Sequence, residues 1–273
     1  MSNLRSLPRP ADVAGLSTAA LRSAFLVEEL FASGNLVFSD CDRLTLAGFT
    51  PREPITLQDA KETGRVFFHE ARESGVINIG GPGAIEVDGT RHALAKLDCL
   101  YISMGTRSVR FLSDDAANPA SFFFLSCPAH RAYPTTLATI RDCNVLSLGT
   151  PESANVRKIY QFIHEGGVQS CQLVMGFTEL APGSVWNTFP PHTHLRRSEA
   201  YLYFDLTGPI VMHFMGDPAE TRHLVVRERE AVLSPPWSIH SGCGAGAYKF
   251  IWGMAGENKA FADMDAVDLK EMR

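Results

Sequence analysis

A chain of 273 residues that is 45% hydrophobic and 20% charged has too much apolar surface to stay disordered, and its length suits one large core or two modest ones. With 25 Lys and Arg against 30 Asp and Glu there is no global positive field, which argues against nucleic acid as a partner. No apolar run approaches the roughly 20 residues that cross a bilayer, and Met1 to Gly15, carrying Arg5, Arg9 and two prolines, lacks the apolar stretch of a secretory signal, so no membrane partner is expected.

The first element is a helix over about 18–32, where Leu21, Ala24, Phe25, Leu30 and Phe31 form an apolar stripe and Gly34 is placed to stop it. After it the pattern changes to short alternating runs broken by Gly, Pro and Asp, the spacing of sandwiches and barrels. Strands are expected at Arg65–Phe68, Val76–Ile79, Ala84–Val87, Cys99–Ser103, Ser108–Leu112 and Ser121–Leu125. Asp88-Gly89 reads as a tight hairpin turn. Gly80-Gly81-Pro82-Gly83 is followed by a strand rather than a helix, so it reads as a turn and not as a phosphate cradle.

The stretch 148–168, with Gly149, Pro151, Asn155, Gly166 and Gly167, breaks the rhythm and marks a domain boundary, although 157–164 can itself be a strand or short helix. Strand texture resumes at Gln172–Thr178, Tyr201–Leu206, Pro209–Met215, Thr221–Val226, Ala231–Leu233 and Tyr248–Trp252. The expectation is an all-β protein with minor helices, in two domains, 1–150 and 151–273. Two similar β halves suggest a duplicated barrel, with no internal repeat visible residue by residue. The six cysteines, Cys41, Cys99, Cys127, Cys143, Cys171 and Cys243, form no Cys-x-x-Cys pair and read as reduced, small buried side chains of a cytoplasmic protein.

Chemistry concentrates at Pro190-Pro191-His192-Thr193-His194-Leu195-Arg196-Arg197-Ser198-Glu199. On an extended strand residues i and i+2 share a face, so His192 and His194 make a pincer for a metal. Glu199 can join them only if Leu195 to Ser198 turn or bulge. A fourth donor, His240, follows the rigid turn that Pro235 and Pro236 impose. Three neutral imidazoles and a carboxylate suit Zn²⁺, with Fe²⁺, Mn²⁺ or Ni²⁺ open as alternatives. Arg196, Arg197 and Arg222 are candidates to hold a small anion. Glu220, His223, Tyr201 and Tyr203 are the candidates for acid–base work. His69, His92 and His130 read as surface or hydrogen-bonded residues.

His192-x-His194 with Glu199, then Pro235-x-Trp237-x-x-His240, resembles the two motifs of the cupin superfamily, with Trp237 where a Gly is usual and the flanking glycines displaced to Gly183 and Gly208. A closer resemblance is to the 5-dehydro-4-deoxy-D-glucuronate isomerase family of pectin breakdown, also called 4-deoxy-L-threo-5-hexosulose-uronate ketol-isomerases. It is carried by the same histidines with Arg196-Arg197, by Glu220-Thr221-Arg222-His223, by Trp237-Ser238-Ile239-His240-Ser241-Gly242 and by Phe250-Ile251-Trp252-Gly253-Met254-x-Gly256-Glu257-Asn258. In the first half it takes in Phe25-Leu26-Val27-Glu28 and Gly75 to Gly81.

The resemblance implies a bicupin of two β-barrel, jelly-roll type domains. It implies one Zn²⁺ per chain, held by His192, His194, Glu199 and His240, and a first barrel without a metal. It also implies a homohexamer that isomerises a small acidic keto-sugar, 5-dehydro-4-deoxy-D-glucuronate, to 3-deoxy-D-glycero-2,5-hexodiulosonate. The 5-deoxy-glucuronate isomerase of inositol breakdown and an iron-dependent cupin dioxygenase are the competing expectations.

Overall fold

The computed structural model of the protein describes residues 4–32, 34–59 and 61–273; the first three residues of the expected N-terminal domain lie outside the described residues. The described residues are mostly β, with two short α-helices and brief 3₁₀ turns among them. It divides into two compact units, one containing Leu30–Asn144 and Phe162–Val174, the other Arg5–Glu29, Val145–Gln161 and Met175–Arg273.

Each unit is built on two antiparallel sheets in a jelly-roll-like arrangement, layered rather than closed into a ring. In the first, the larger sheet contains, in spatial order, Thr45–Phe49, Phe122–Pro128, Arg72–Asn78, Cys99–Ile102 and Thr136–Ala138, and the smaller contains Ile55–Thr56, Val109–Ser113, Gly83–Val87 and Thr90–Leu94. In the second, the larger contains Arg157–Ile163, Val174–Leu180, Lys249–Gly256, Arg197–Phe204, Ala231–Ser234 and Leu26–Val27, and the smaller Trp186–Asn187, Ser241–Gly244, Val211–Asp217 and Glu220–Val226. Alternating apolar residues supply the cores; in the first unit Phe49 stacks on Phe111 at 4.2 Å between ring centroids, with Phe122 and Phe124 beside them. The hairpin at Asp88-Gly89 forms as expected, with φ of 48° and 83°, which suits a primed two-residue turn between Val87 and Thr90.

Three expectations are corrected. The helix is Thr18–Phe25, capped by Ser17 Oγ accepting from Ala20 N, and it stops well short of Gly34. Leu26 and Val27 leave the helix to pair with Val232 and Ala231, so ladder bonds replace another helical turn. That pairing also draws the helix into the second compact unit. Arg65–Phe68 is not a strand: Glu70 accepts from Val66 N and Asp59 from Phe68 N, and these side-chain bonds substitute for a ladder. The units are also not the contiguous halves 1–150 and 151–273. Within the first unit buried Glu73 accepts from the N–H groups of Cys171, Gln172 and Leu173 at 2.7–2.9 Å, which ties that late segment in. Among the described residues no helix is long and apolar enough to cross a membrane.

Candidate metal centre and active-site cavity

Three pieces of chain in the second unit converge on one point. His192 and Thr193 form a two-residue strand antiparallel to Asp265–Ala266. The chain then turns at Leu195-Arg196, where reversal was required, and Glu199 enters the long strand Arg197–Phe204. His240 is set by the turn after Ser234: Ser238 N donates to Pro235 O, and Gly216 N donates to Ser238 Oγ while Ile239 N donates to Gly216 O. His194 N donates to Pro236 O, which joins the two histidine-bearing loops.

The side chains meet tip to tip. His192 Nε2 lies 3.1 Å from His194 Nε2 and 3.0 Å from His240 Nε2, and Glu199 Oε2 lies 3.5 Å from His194 Nε2 and 3.2 Å from His240 Nε2. His194 Nδ1 faces the carbonyl of Asp263 at 2.6 Å, and because a carbonyl only accepts, Nδ1 is the donor there and Nε2 is the nitrogen turned toward Glu199. Burial first, then the neighbouring imidazole charge, pushes His192 down to about 3 and His240 well below its usual range, so both rings are neutral at pH 7.

Imidazole nitrogens of His194 and His240 thus face a buried carboxylate oxygen, Glu199 Oε2, that accepts no hydrogen bond among the described residues. Such an array is costly unless a cation fills it. An ion such as Zn²⁺ binds N and O donors at about 2.0–2.2 Å, which spaces tetrahedral ligands about 3.3–3.6 Å apart. The four contacts above, at 3.0–3.5 Å, are close to that spacing, and the donor atoms of the three histidines all lie within 4.8 Å of one another, so they could hold a metal ion.

The centre opens into a cavity of about 230 Å³. Its floor comes from alternate residues of two paired strands: Glu199 and Tyr201 on one, facing Met254 and Trp252 across the ladder, with Phe250 two residues further. Thr178, Ile159 and Arg157 extend the floor, and Phe189, Phe261 and Met264 contribute to its rim. Trp252 Nε1 donates to Thr178 Oγ1 at 3.1 Å, which fixes the indole. Tyr201 shares hydrogen bonds with Thr188 and Glu199, and burial followed by the Glu199 charge raises its hydroxyl well above the usual phenol range.

Of the four acid–base candidates only Tyr201 lines this cavity. Tyr203 is buried with its hydroxyl 2.7 Å from His213 Nδ1, while Glu220 and His223 are exposed on the strand Glu220–Val226. The three nominated arginines are spent elsewhere. Arg222 donates to the carbonyls of Val13, Ala14 and Leu16, ending the short helix Pro10–Val13. Arg196 is forked over Asp263 and Asp265 on the surface. Buried Arg197 donates to the carbonyls of Asn258, Ala260, Phe261 and Asp263. None of the three lines the cavity; local clustering in sequence does not tell which face a cation takes. Arg157, which does line it, is not among the candidates the sequence offers. The signal was present: Arg157 and Ile159 are spaced i, i+2 on a strand, hence on one face.

Comparison with known proteins agrees with this architecture. The chain is 52% identical over 270 residues, 97% of it and 98% of the relative, to the 4-deoxy-L-threo-5-hexosulose-uronate ketol-isomerase of Opitutus terrae. It is 49% identical over 274 residues, 99% of each chain, to the same-named protein of Lachnoclostridium phytofermentans. Among solved structures, an IolB-like protein from Salmonella typhimurium LT2 shares the fold with a TM-score of 0.68 at 13% identity, over 82% of this chain and 86% of that one. A family model described as KduI/IolB matches residues 29–272. The chain belongs to the KduI/IolB family.

Proposed function

We propose that this protein is a zinc-dependent ketol-isomerase that converts 5-dehydro-4-deoxy-D-glucuronate to 3-deoxy-D-glycero-2,5-hexodiulosonate. The observation that carries the reading is the convergence of His192, His194, His240 and Glu199 at the end of a cavity lined by Tyr201. The names of the relatives at about half identity support the substrate. Each chain carries one Zn²⁺, the first unit carries none, and the active form is a cytoplasmic homohexamer.

A bound divalent cation supplies Lewis-acid stabilisation of negative charge on the two oxygens at the reacting end, worth several kcal/mol. His192, His194, His240 and Glu199 would hold it, and with one carboxylate among three imidazoles the site would keep a net positive charge to supply to those oxygens. Moving a carbonyl from C1 to C2 takes a proton from C2, returns one to C1, and exchanges a proton between the two oxygens. Tyr201 serves that exchange: its hydroxyl is protonated at neutral pH and stands against the cavity, so it can donate as negative charge develops and recover the proton afterwards. Phe250, Trp252, Met254 and Phe261 keep bulk water from the intermediate.

The test combines metal analysis with an isomerase assay. Purified protein is expected to hold one zinc per chain, to lose turnover on chelation and to regain it with Zn²⁺, with 5-deoxy-glucuronate turned over far more slowly. Full turnover by metal-free protein, or preference for 5-deoxy-glucuronate, would sink the proposal. Light scattering on a sizing column reads the expected hexamer.

A further inference from the structure

The cavity holds an unneutralised cation at a distance from the metal-binding cluster. Arg157 opens the strand Arg157–Ile163, which in the second unit's larger sheet stands three places from the strand bearing Glu199 and Tyr201. At about 4.8 Å per strand the two backbones are roughly 14 Å apart across the sheet. Yet Arg157 and Glu199 line one cavity. One guanidinium nitrogen, Nη1, donates to Asn155 O at 2.9 Å; among the described residues Nε and Nη2 have no hydrogen-bond partner and the side chain forms no ion pair. Burial lowers its pKa, so the charge is held where solvation is incomplete. Its neighbours on the cavity wall, Leu148, Ile159 and Thr178, carry no charge to offset it. Among the described residues the only carboxylate on the wall is Glu199, which faces the histidine cluster.

A six-carbon uronate has the same polarity. Its reacting carbonyl is at C1 and its carboxylate at C6, so one end asks for the cation-binding cluster and the other for a planar donor pair. We propose that Arg157 is the residue that recognises the substrate carboxylate, through Nε and Nη2, and thereby selects acidic over neutral sugars. The inference rests on the isomerase reading for the identity of the acid, and adds the orientation: C1 toward His192, His194 and His240, C6 toward Arg157.

The experiment compares the keto-uronate with its C6 amide, in wild type, Arg157→Gln, Arg157→Met and Arg157→Lys, alongside metal content. Wild-type turnover of the acid tests the isomerase reading by itself. For the inference, Arg157→Gln and Arg157→Met are expected to keep their metal and lose roughly 30- to 100-fold in kcat/KM for the acid, mostly through KM. Their preference for acid over amide should disappear. Arg157→Lys should recover part of the preference, because it restores charge without the fork. Quenching of tryptophan fluorescence by the C1-reduced acid, which cannot isomerise, reads the same loss as binding and stands even if turnover is absent. Should either neutral variant keep its metal and the wild-type preference for acid, or should that quenching be unchanged, Arg157 is not the carboxylate site. If both neutral variants fail to fold, Arg157→Lys decides: undiminished discrimination by an ammonium overturns the forked contact.

Discussion

At the scale of single residues, the cluster separates holding a metal from doing chemistry. His240 is buried, and its Nε2 contacts both His192 and Glu199, so His240→Ala removes one donor and leaves the others facing a void. Metal content and turnover should fall together in that variant, while the β-sheet circular dichroism signal persists; retained metal would place the site elsewhere. Tyr201→Phe keeps the ring that packs 5.4 Å from Phe250 between centroids and deletes only the hydroxyl. It should lower kcat by about 10²–10⁴-fold, the usual worth of a positioned acid–base group, at unchanged metal content. The sequence made the three-histidine cluster legible, because His-x-His and a proline-bounded histidine are local patterns. It did not reveal that Arg196, Arg197 and Arg222 are occupied by Asp263, Asp265 and backbone carbonyls, since those partners lie far away along the chain.

At the scale of elements, the histidine cluster depends on the segment that follows the strand Lys249–Gly256. That segment carries Phe261 and Met264 to the cavity and supplies the Asp263 carbonyl that orients His194. Arg197 fastens it with hydrogen bonds to four carbonyls, and Gly256, at φ 154°, lets the chain pass where a Cβ would lie 2.3 Å from Arg196 O. The expected strands of this unit were legible to within a few residues because alternation is strong there. The clamp was not, because an arginine satisfied by carbonyls has no sequence partner to point to it. Arg197→Lys keeps the charge but cannot reproduce the fork. Limited proteolysis should then cut within 257–266 at a protease dose that spares wild type, and KM should rise several-fold, whereas an uncut segment would mean that the surface pairs of Arg196 suffice.

At the scale of the whole molecule, the two units repeat one strand order, and the repeat hidden in the sequence becomes visible through register. Arg72 and Arg197 each begin the strand flanked by equivalent neighbours, each opposite the last residue of the adjoining strand, Pro128 and Gly256. His69 precedes Arg72 by three residues as His194 precedes Arg197, and Ser74 stands where Glu199 does. Divergence of the other positions left too little identity to recognise by eye: Phe67 matches His192 in spacing from the arginine, and Ser108 precedes its strand as His240 precedes Ser241–Gly244. His69 bonds Ser74 Oγ at 2.7 Å, wholly buried, and becomes an acid-sensitive element of the first unit.

Burial, reinforced by the Arg72 charge, lowers His69 to about 3; burial alone lowers His213 in the second unit to about 3. In the unfolded chain both protonate below about 6.5. Between those limits the unfolded state binds more protons than the folded one, so stability rises with pH. It is therefore intact above about 6.5 and is lost as pH falls toward 3, each histidine contributing a slope of about 1.4 kcal/mol per pH unit. His69→Gln can keep a hydrogen bond to Ser74 while removing the titration. Urea midpoints taken from pH 7.5 to 4.5 should then fall less steeply for this variant than for wild type, the curves converging toward the acid end. Parallel curves would show that His69 gains access to solvent before it takes up its proton.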